Sequence, residues 1–311
     1  MSRAVVSGGA GFIGSHLVDS LIDRGDRVLV LDNLSTGKEA KLHPSAKLRR
    51  TDVCDAAAVE SAMVEFRPDL VFHLAAQADP KRAYRYPAFD ARVNVEGTIN
   101  VALATLACGA SKLVFTSTGG AMYGSPNPSL LPVDESFAVA PASPYGVSKY
   151  CAEMFLRMFG EARGLRYAVV RPANVYGPRQ EPESEVGVVL IFLRQMLAGE
   201  TPTMRGFGKA TRDYVYVRDA VSAILLAAER GGPKPYHVGT GEEVSVEQIF
   251  EGLQRRLGTS FEPKRVALTP GEVERMALDS GLARSELGWS PECSLDEGLD
   301  RTIAHLRSGG R

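Results

Sequence analysis

Residues 4–14 read AVVSGGAGFIG: an apolar run, glycines at Gly8, Gly11 and Gly14, then the start of an amphipathic stretch. Little else fits that order except a strand, a tight turn and a helix. The first glycine makes the turn, the second lets backbone approach a pyrophosphate, and the third lets the helix pack on the strand. The helix start then offers unbonded N–H groups and a positive dipole end to phosphate. A dinucleotide-binding turn is therefore predicted. The bland alternative is a glycine-rich turn with no ligand.

The following segments keep to the same grammar. Strands are predicted at 4–7, 28–31, 47–51, 70–73, 113–116 and 167–170, with helices at 12–24, 56–66, 88–108 and 145–163. Alternating strands and helices imply α/β architecture with a parallel sheet covered on both faces. The strands are continuous apolar runs, as doubly covered strands are. Past Gly177 the pattern loosens. A polar loop spans 178–188, then a helix at 189–197, a short strand near 213–217, a helix at 219–229 and a strand near 236–238. Smaller helices and loops are expected beyond. The predicted division is a nucleotide-binding domain over 1–177, with part of 212–240 returning to it, and a smaller substrate domain over 178–311.

Composition narrows the function classes. The chain has 311 residues and a formal net charge of -1, so no basic excess argues for nucleic acid. No run is long and apolar enough for a bilayer, and the opening segment lacks the pattern of a secretory signal. Cys54, Cys108, Cys151 and Cys293 lie far apart, which argues against a zinc site or a disulfide framework and for a reducing cytoplasm. No metal is expected. Arg outnumbers Lys and several loops carry Pro, a composition shared by heat-tolerant proteins.

The second strand ends at Asp32. A carboxylate there accepts from adenosine ribose hydroxyls and repels a 2′-phosphate, which favours NAD over NADP. Asp52, after the third strand, is within the range of an adenine amino group. HLAAQ closes the fourth strand with small residues against which a cofactor can lie; His73 reads as a packed strand-end histidine. The fifth strand runs into FTSTGGAMYG, and SPYGVSKYCAE then sets Tyr145 and Lys149 four residues apart on one helix face. A neighbouring ammonium favours the phenolate, and a phenolate is a competent base for an alcohol proton. Ser117 or Thr118 supplies a hydroxyl to the same substrate oxygen.

Together GGAGFIG, Asp32, HLAAQ, STGGAMYG, YGVSK and RPANVYGPR resemble the extended short-chain dehydrogenase/reductase family, over essentially the whole chain. The resemblance implies a Rossmann domain with a smaller C-terminal α/β domain, bound NAD, and a nucleotide-sugar substrate. Carried onto this chain, the cofactor contacts fall on Gly8, Gly11, Phe12, Ile13, Gly14, Asp32, Asn33, Ser35, Thr36, Gly37, Asp52 and Val53. They continue through Leu74, Ala75, Ala76, Gln77, Asn94, Thr116, Tyr145, Lys149 and Pro172. Thr118, Tyr145, Asn174 and Arg212 are the expected sugar and phosphate contacts, with Val188, Val189, Met204 and Arg205 around the base. A homodimer through the 88–108 and 145–163 helices is also implied.

Within the family, dehydratases resemble one another in an Asp-Glu pair after the strand-end hydroxyls, and decarboxylases in a Ser-Glu. Here Thr118 is followed by Gly119 and Gly120, so the segment resembles the 4-epimerases, which interconvert UDP-glucose and UDP-galactose through a 4-keto sugar. Three positions stand out. Thr269 occupies the place of a second phosphate Arg before Pro270-Gly271-Glu272, leaving Arg275 as the candidate substitute. Met276 falls at the residue that gates N-acetyl sugars. His237 replaces a more usual Asn. The rival readings are another epimerase or reductase on the same scaffold, and a binding module that keeps NAD without catalysis.

Overall fold

Buried apolar strands stack side by side wherever the predicted alternation holds, save the polar edge strand at 47–50, and the main intervening helices turn their apolar faces onto them. The computed structural model describes residues 2–181, 187–268 and 273–309. β1 (Arg3–Ser7) leads into α1 (Phe12–Asp23). β2 (Arg27–Asp32), β3 (Lys47–Arg50), α2 (Ala56–Phe66) and β4 (Leu70–His73) follow. A short α3 (Pro80–Arg85) then precedes α4 (Pro87–Ala91), a π-helical turn (Arg92–Glu96) and α5 (Gly97–Cys108). The helix expected over 88–108 is thus continuous but carries a bulge. β5 (Lys112–Thr116), α6 (Pro144–Arg163) and β6 (Tyr167–Pro172) complete the first half.

The second half holds β7 (Asn174–Tyr176), α7 (Val188–Leu197), β8 (Thr203–Arg205), β9 (Thr211–Arg212) and β10 (Tyr214–Tyr216). α8 (Val217–Arg230), β11 (Pro235–Val238) and β12 (Val244–Ser245) come next. α9 (Val246–Leu257), β13 (Lys264–Val266) and α10 (Leu295–Arg307) close it. α9 and α10 are three-turn amphipathic helices rather than the small pieces expected. Their starts were legible: Ser245 caps α9 in a reciprocal box with Gln248, and Ser294 caps α10.

Seven strands form one parallel sheet in the order β11-β6-β5-β4-β1-β2-β3. Ser7 pairs with Leu31 on one side and His73 on the other, so both neighbours leave β1 at the same level. The chain winds outward in opposite directions from β1. That reversal opens a crevice beyond the strands' C-terminal ends. α1 and α8 cover one face of the sheet and α2, α5 and α6 the other, each with its own buried apolar cluster. A third cluster joins α7, α9, α10 and β10 beside the crevice, with Phe192, Phe250, Leu253 and Tyr176 at its centre. Among the described residues no helix is long and apolar enough to cross a membrane.

One buried cation ties the sheet to α8. Lys112 Nζ donates to the carbonyls of Ala227, Ala228 and Gly231 at 3.2, 2.8 and 2.9 Å, at the end of that helix. A cation there meets the negative end of the helix dipole. Lys112→Met is expected to lower unfolding free energy by about 2 kcal/mol, measured by urea denaturation. An unchanged midpoint would show that water replaces the ammonium at no cost.

Candidate active site

The glycine turn is built by contact rather than by flexibility alone. A Cβ on Gly14 would lie 2.1 Å from the Gly8 carbonyl oxygen, so only glycine lets α1 settle there. Gly11 caps α1 with no side-chain hydrogen bond, which leaves the first turn of N–H groups facing the crevice. Asp32 closes β2 beside it. Its carboxylate accepts from the backbone N–H of Ala10 at 3.0 Å and Leu34 at 2.8 Å. Burial nevertheless pushes its carboxyl above the ordinary range. Asp52 accepts from Asn33 Nδ2 and from the N–H of Cys54, and that backbone donor holds its carboxyl low.

At the end of β4, His73 is fully buried. Its Nε2 lies 3.0 Å from Thr98 Oγ1, which itself donates to the Asn94 carbonyl. Nε2 therefore carries the proton, and Nδ1 accepts from the Ser7 hydroxyl at 2.6 Å. Burial pushes the imidazole down to about 3, so it stays neutral. Asn94 stands on the π-helical turn and is 1% exposed. Its amide clasps the backbone of Gln77 at 2.8 and 3.0 Å and reaches Ser148 Oγ at 3.0 Å. It shapes the HLAAQ segment from behind instead of lining the crevice.

α6 begins at Pro144 with Ser143 as its cap. A Cβ on Gly146 would meet the Ala121 carbonyl at 2.4 Å, so the helix start presses on the loop after β5. Tyr145, Lys149, Thr116, Ser117 and Thr118 consequently line the same cavity. Lys149 is buried, with Nζ 4.2 Å from the centroid of Phe115. The two hydroxyls differ. Ser117 Oγ donates to Glu153 Oε1 at 2.5 Å, whereas Thr118 Oγ1 accepts from the Ala121 N–H at 3.3 Å and, among the described residues, donates to none. A Cβ on Gly119 would lie 2.3 Å from Leu278 Cδ1 and 3.1 Å from the Arg171 carbonyl, so any side chain there would have to displace Leu278.

On the other side the cavity wall holds Asn174, Val188, Val189, Arg205 and Arg212. The Arg212 guanidinium is steered by the carbonyls of Thr211, Glu274 and Val273. Three expected contacts fall off the wall. Met204 points into the third apolar cluster, because alternation along β8 sends Thr203 and Arg205 to the cavity and the residue between them inward. Arg275 grips Glu243 through Nε at 2.8 Å and through Nη2. Met276 is 1% exposed and packs in the main core. Thr269 and the Pro270-Gly271-Glu272 turn lie outside the described residues.

Sequence reading missed several wall residues. α3 carries Lys81, Arg82 and Tyr84 to the rim, and Tyr84 donates to the Ala142 carbonyl at 2.6 Å, just before Tyr145. Asp79-Pro80, a cap followed by a first-turn proline, was the available signal. Gln195 and Tyr214 also lie on the wall. Among the described residues Thr116 Oγ1, Gln195 Oε1 and the Tyr214 hydroxyl are buried without a hydrogen-bond partner. All three line the cavity, where ligand atoms can satisfy them.

The cavity measures about 1790 Å³ and runs from Asp32 and Asp52 past Tyr145 to Arg205. Single-ligand pockets hold roughly 300–1,000 Å³, so this one suits a dinucleotide and a second ligand end to end. A model of the NAD dependent epimerase/dehydratase family matches residues 4–239. The chain belongs to that family. It is 43% identical to the UDP-glucose 4-epimerase of Thermotoga maritima, solved with UDP-glucose, with a TM-score of 0.96 and 99% of each chain covered. The UDP-glucose 4-epimerase of Thermus thermophilus, solved in complex with NAD, is 39% identical at a TM-score of 0.93, covering 98% of this chain and 99% of that one. A UDP-glucose 4-epimerase of Mycolicibacterium smegmatis is 41% identical over 98% of this chain and 99% of its own length. The bare start of α1, Asp32 and the unpartnered Thr116 hydroxyl all face that cavity.

As pH falls, Asp32 takes up a proton earlier than an exposed aspartate and becomes a weaker acceptor. If Asp32 holds the cofactor's ribose hydroxyls, cofactor binding is sensitive to acid. NAD affinity, measured by calorimetry, is expected to weaken at a pH above the ordinary aspartate range. The same transition is expected to vanish in Asp32→Asn. A transition that persists in the variant would assign it to another group.

Proposed function

We propose that this chain interconverts UDP-glucose and UDP-galactose by oxidising and re-reducing the sugar at C4. The observation that carries the reading is the neutral strand end. Thr118 stands with Tyr145 and Lys149 on one cavity wall and is followed by Gly119 and Gly120, with Leu278 packed against Gly119. Removal of water or of carbon dioxide has no acid there to drive it. When bound, NAD supplies a reversible hydride acceptor for the sugar carbon. Tyr145 takes the proton of the 4-hydroxyl and returns it. Lys149 favours the phenolate, and Thr118 relays the proton through the hydroxyl it keeps free to donate. Arg212 holds diphosphate with Asn174 nearby, and Gln195 and Tyr214 offer their unpartnered polar atoms to the nucleotide.

In this reading residues 1–177, together with α8 and β11 on the sheet, hold the cofactor, and most of 178–311 holds the UDP-sugar. A second substrate class is favoured by one observation. Lys81 and Arg82 line the rim beside the start of α6, a cationic pair suited to the carboxylate of a UDP-hexuronate. The protein works in the cytoplasm, in keeping with four free thiols. It works as a homodimer. Leu103 on α5 and Val147, Met154 and Met158 on α6 are 37–48% exposed, and Cys151 is exposed among them. Positions 147, 151, 154 and 158 form one helical stripe, which a second copy covers by pairing the same two helices.

Purified protein with UDP-galactose and no added NAD is expected to form UDP-glucose, followed by chromatography. Tyr145→Phe is expected to lose about 10²- to 10⁴-fold in kcat with bound cofactor retained. Inert wild-type protein, with NAD supplied, would overturn the UDP-hexose reading, and turnover of UDP-glucuronate alone would replace it with the second. For the dimer, Met154→Glu is expected to sediment as a monomer. A wild type already monomeric at micromolar concentration would remove the stripe from consideration.

A further inference from the structure

Behind the strand-end hydroxyls lies a chain of buried polar groups that the proposed chemistry does not use. Ser117, Glu153, Arg171, Tyr123 and His237 are each no more than 4% exposed. Arg171 Nε and Nη2 hold Glu153 Oε1 and Oε2 at 3.0 and 2.6 Å. Arg171 Nη1 donates to the Tyr123 hydroxyl at 2.6 Å. That hydroxyl lies 2.5 Å from His237 Nε2, while His237 Nδ1 lies 3.2 Å from the carbonyls of Val133 and Asp279.

The donors and acceptors admit a single order. Carbonyls only accept, so Nδ1 carries the imidazole proton. Burial pushes His237 down to about 4, so the ring is neutral and Nε2 accepts. Tyr123 must then donate to His237 and accept from Arg171. Glu153, held by the guanidinium, accepts from Ser117 at 2.5 Å. Every proton in the chain has a fixed direction. The Ser117 hydroxyl is committed to Glu153 and has no proton left for a sugar oxygen.

Tyr145, Lys149 and Glu153 follow one another at four-residue spacing along α6, on the face toward the sheet. Glu153 therefore ties the helix that bears the base to the residue just after β5, through Ser117, and to β6 through Arg171. A buried ion pair is weak as a source of stability, since apolar packing of equal volume often does as well. What it supplies here is a fixed distance and a fixed set of proton directions. We propose that Glu153, anchored through Arg171, Tyr123 and His237, is a positioning residue that sets the gap between Tyr145 and the proton-relaying Thr118. Ser117 is its peg and takes no part in proton transfer. The inference rests on the epimerase reading above.

The test compares four variants in the UDP-galactose assay, with kcat expressed per folded, NAD-loaded site. Ser117→Ala is expected to lose less than about tenfold in kcat, and Thr118→Val at least about 100-fold. Glu153→Gln, which keeps the shape but not the charge, is expected to lose about 10- to 100-fold in kcat with KM within about twofold. Its primary deuterium isotope effect with 4-deuterated UDP-galactose is expected to rise, a change that partial unfolding cannot produce. Should Glu153→Gln fail to fold, Tyr123→Phe keeps the ion pair, removes the anchor to His237, and is expected to move the same two readouts less. Equal losses in Ser117→Ala and Thr118→Val would overturn the assignment by making Ser117 a relay. Wild-type kcat and isotope effect in the folded Glu153 or Tyr123 variant would reduce the network to a structural one. An inert wild type would sink the substrate reading instead. The network then stands or falls on nitrogen NMR of labelled histidine, where His237 is expected as the Nδ1–H tautomer and an Nε2–H tautomer would overturn the proton order.

Discussion

A methyl group on Gly14 would stand 2.1 Å from the Gly8 carbonyl oxygen, and most of the site depends on that missing group. It lets α1 descend onto β1, which puts the bare start of the helix at the point where the sheet's winding reverses. The N–H groups of Ala10 and Leu34 then reach Asp32, so one carboxylate ties the glycine turn to the segment after β2. Gly146 repeats the device on the opposite wall, where α6 rests on the Ala121 carbonyl. Two close backbone approaches bring the cofactor half and the base-bearing helix to one cavity.

Polar groups stitch the rest together from inside. Asp213 accepts from the Thr240 N–H and hydroxyl, the Gly241 N–H and the Leu278 N–H at 2.7–3.2 Å. Burial raises its carboxyl against all four donors. It anchors the turn after β11 and the segment carrying Leu278 to the start of β10. Leu278 is also the residue that packs against Gly119, so a buried carboxylate holds the side chain that covers the turn after β5. The third apolar cluster, around Phe192 and Phe250, gives α7 and α9 a firm seat beside the crevice, and the nucleotide wall stands on that seat.

Much of this was legible beforehand. The strands and helices of the first half fall within a residue or two of where periodicity put them, because buried parallel strands and amphipathic helices leave strong local patterns. The wall positions of Asp32, Tyr145, Lys149, Thr118 and Arg212 follow from motifs at the ends of those elements. Met204 was misplaced because a three-residue strand has no pattern long enough to reveal which side faces in. Arg275 was misplaced because Glu243, its partner, lies on another loop. Lys81 and Arg82 were passed over because α3 is too short to show periodicity.

The amino-acid sequence by itself determined the turn, the sheet, the placing of Tyr145 and Lys149 on one helical face and the absence of an acid after Thr118. Each is a property of one short segment, governed by backbone sterics or by helical spacing. Tertiary structure alone decided which of two adjacent hydroxyls keeps its proton. Ser117 and Thr118 are neighbours of near-equal chemistry, and what separates them is Glu153, brought from the next helix and held there by Arg171, buried beside it on the next strand. Hydrogen-bond direction depends on every partner in the network, and those partners meet only once the chain has folded.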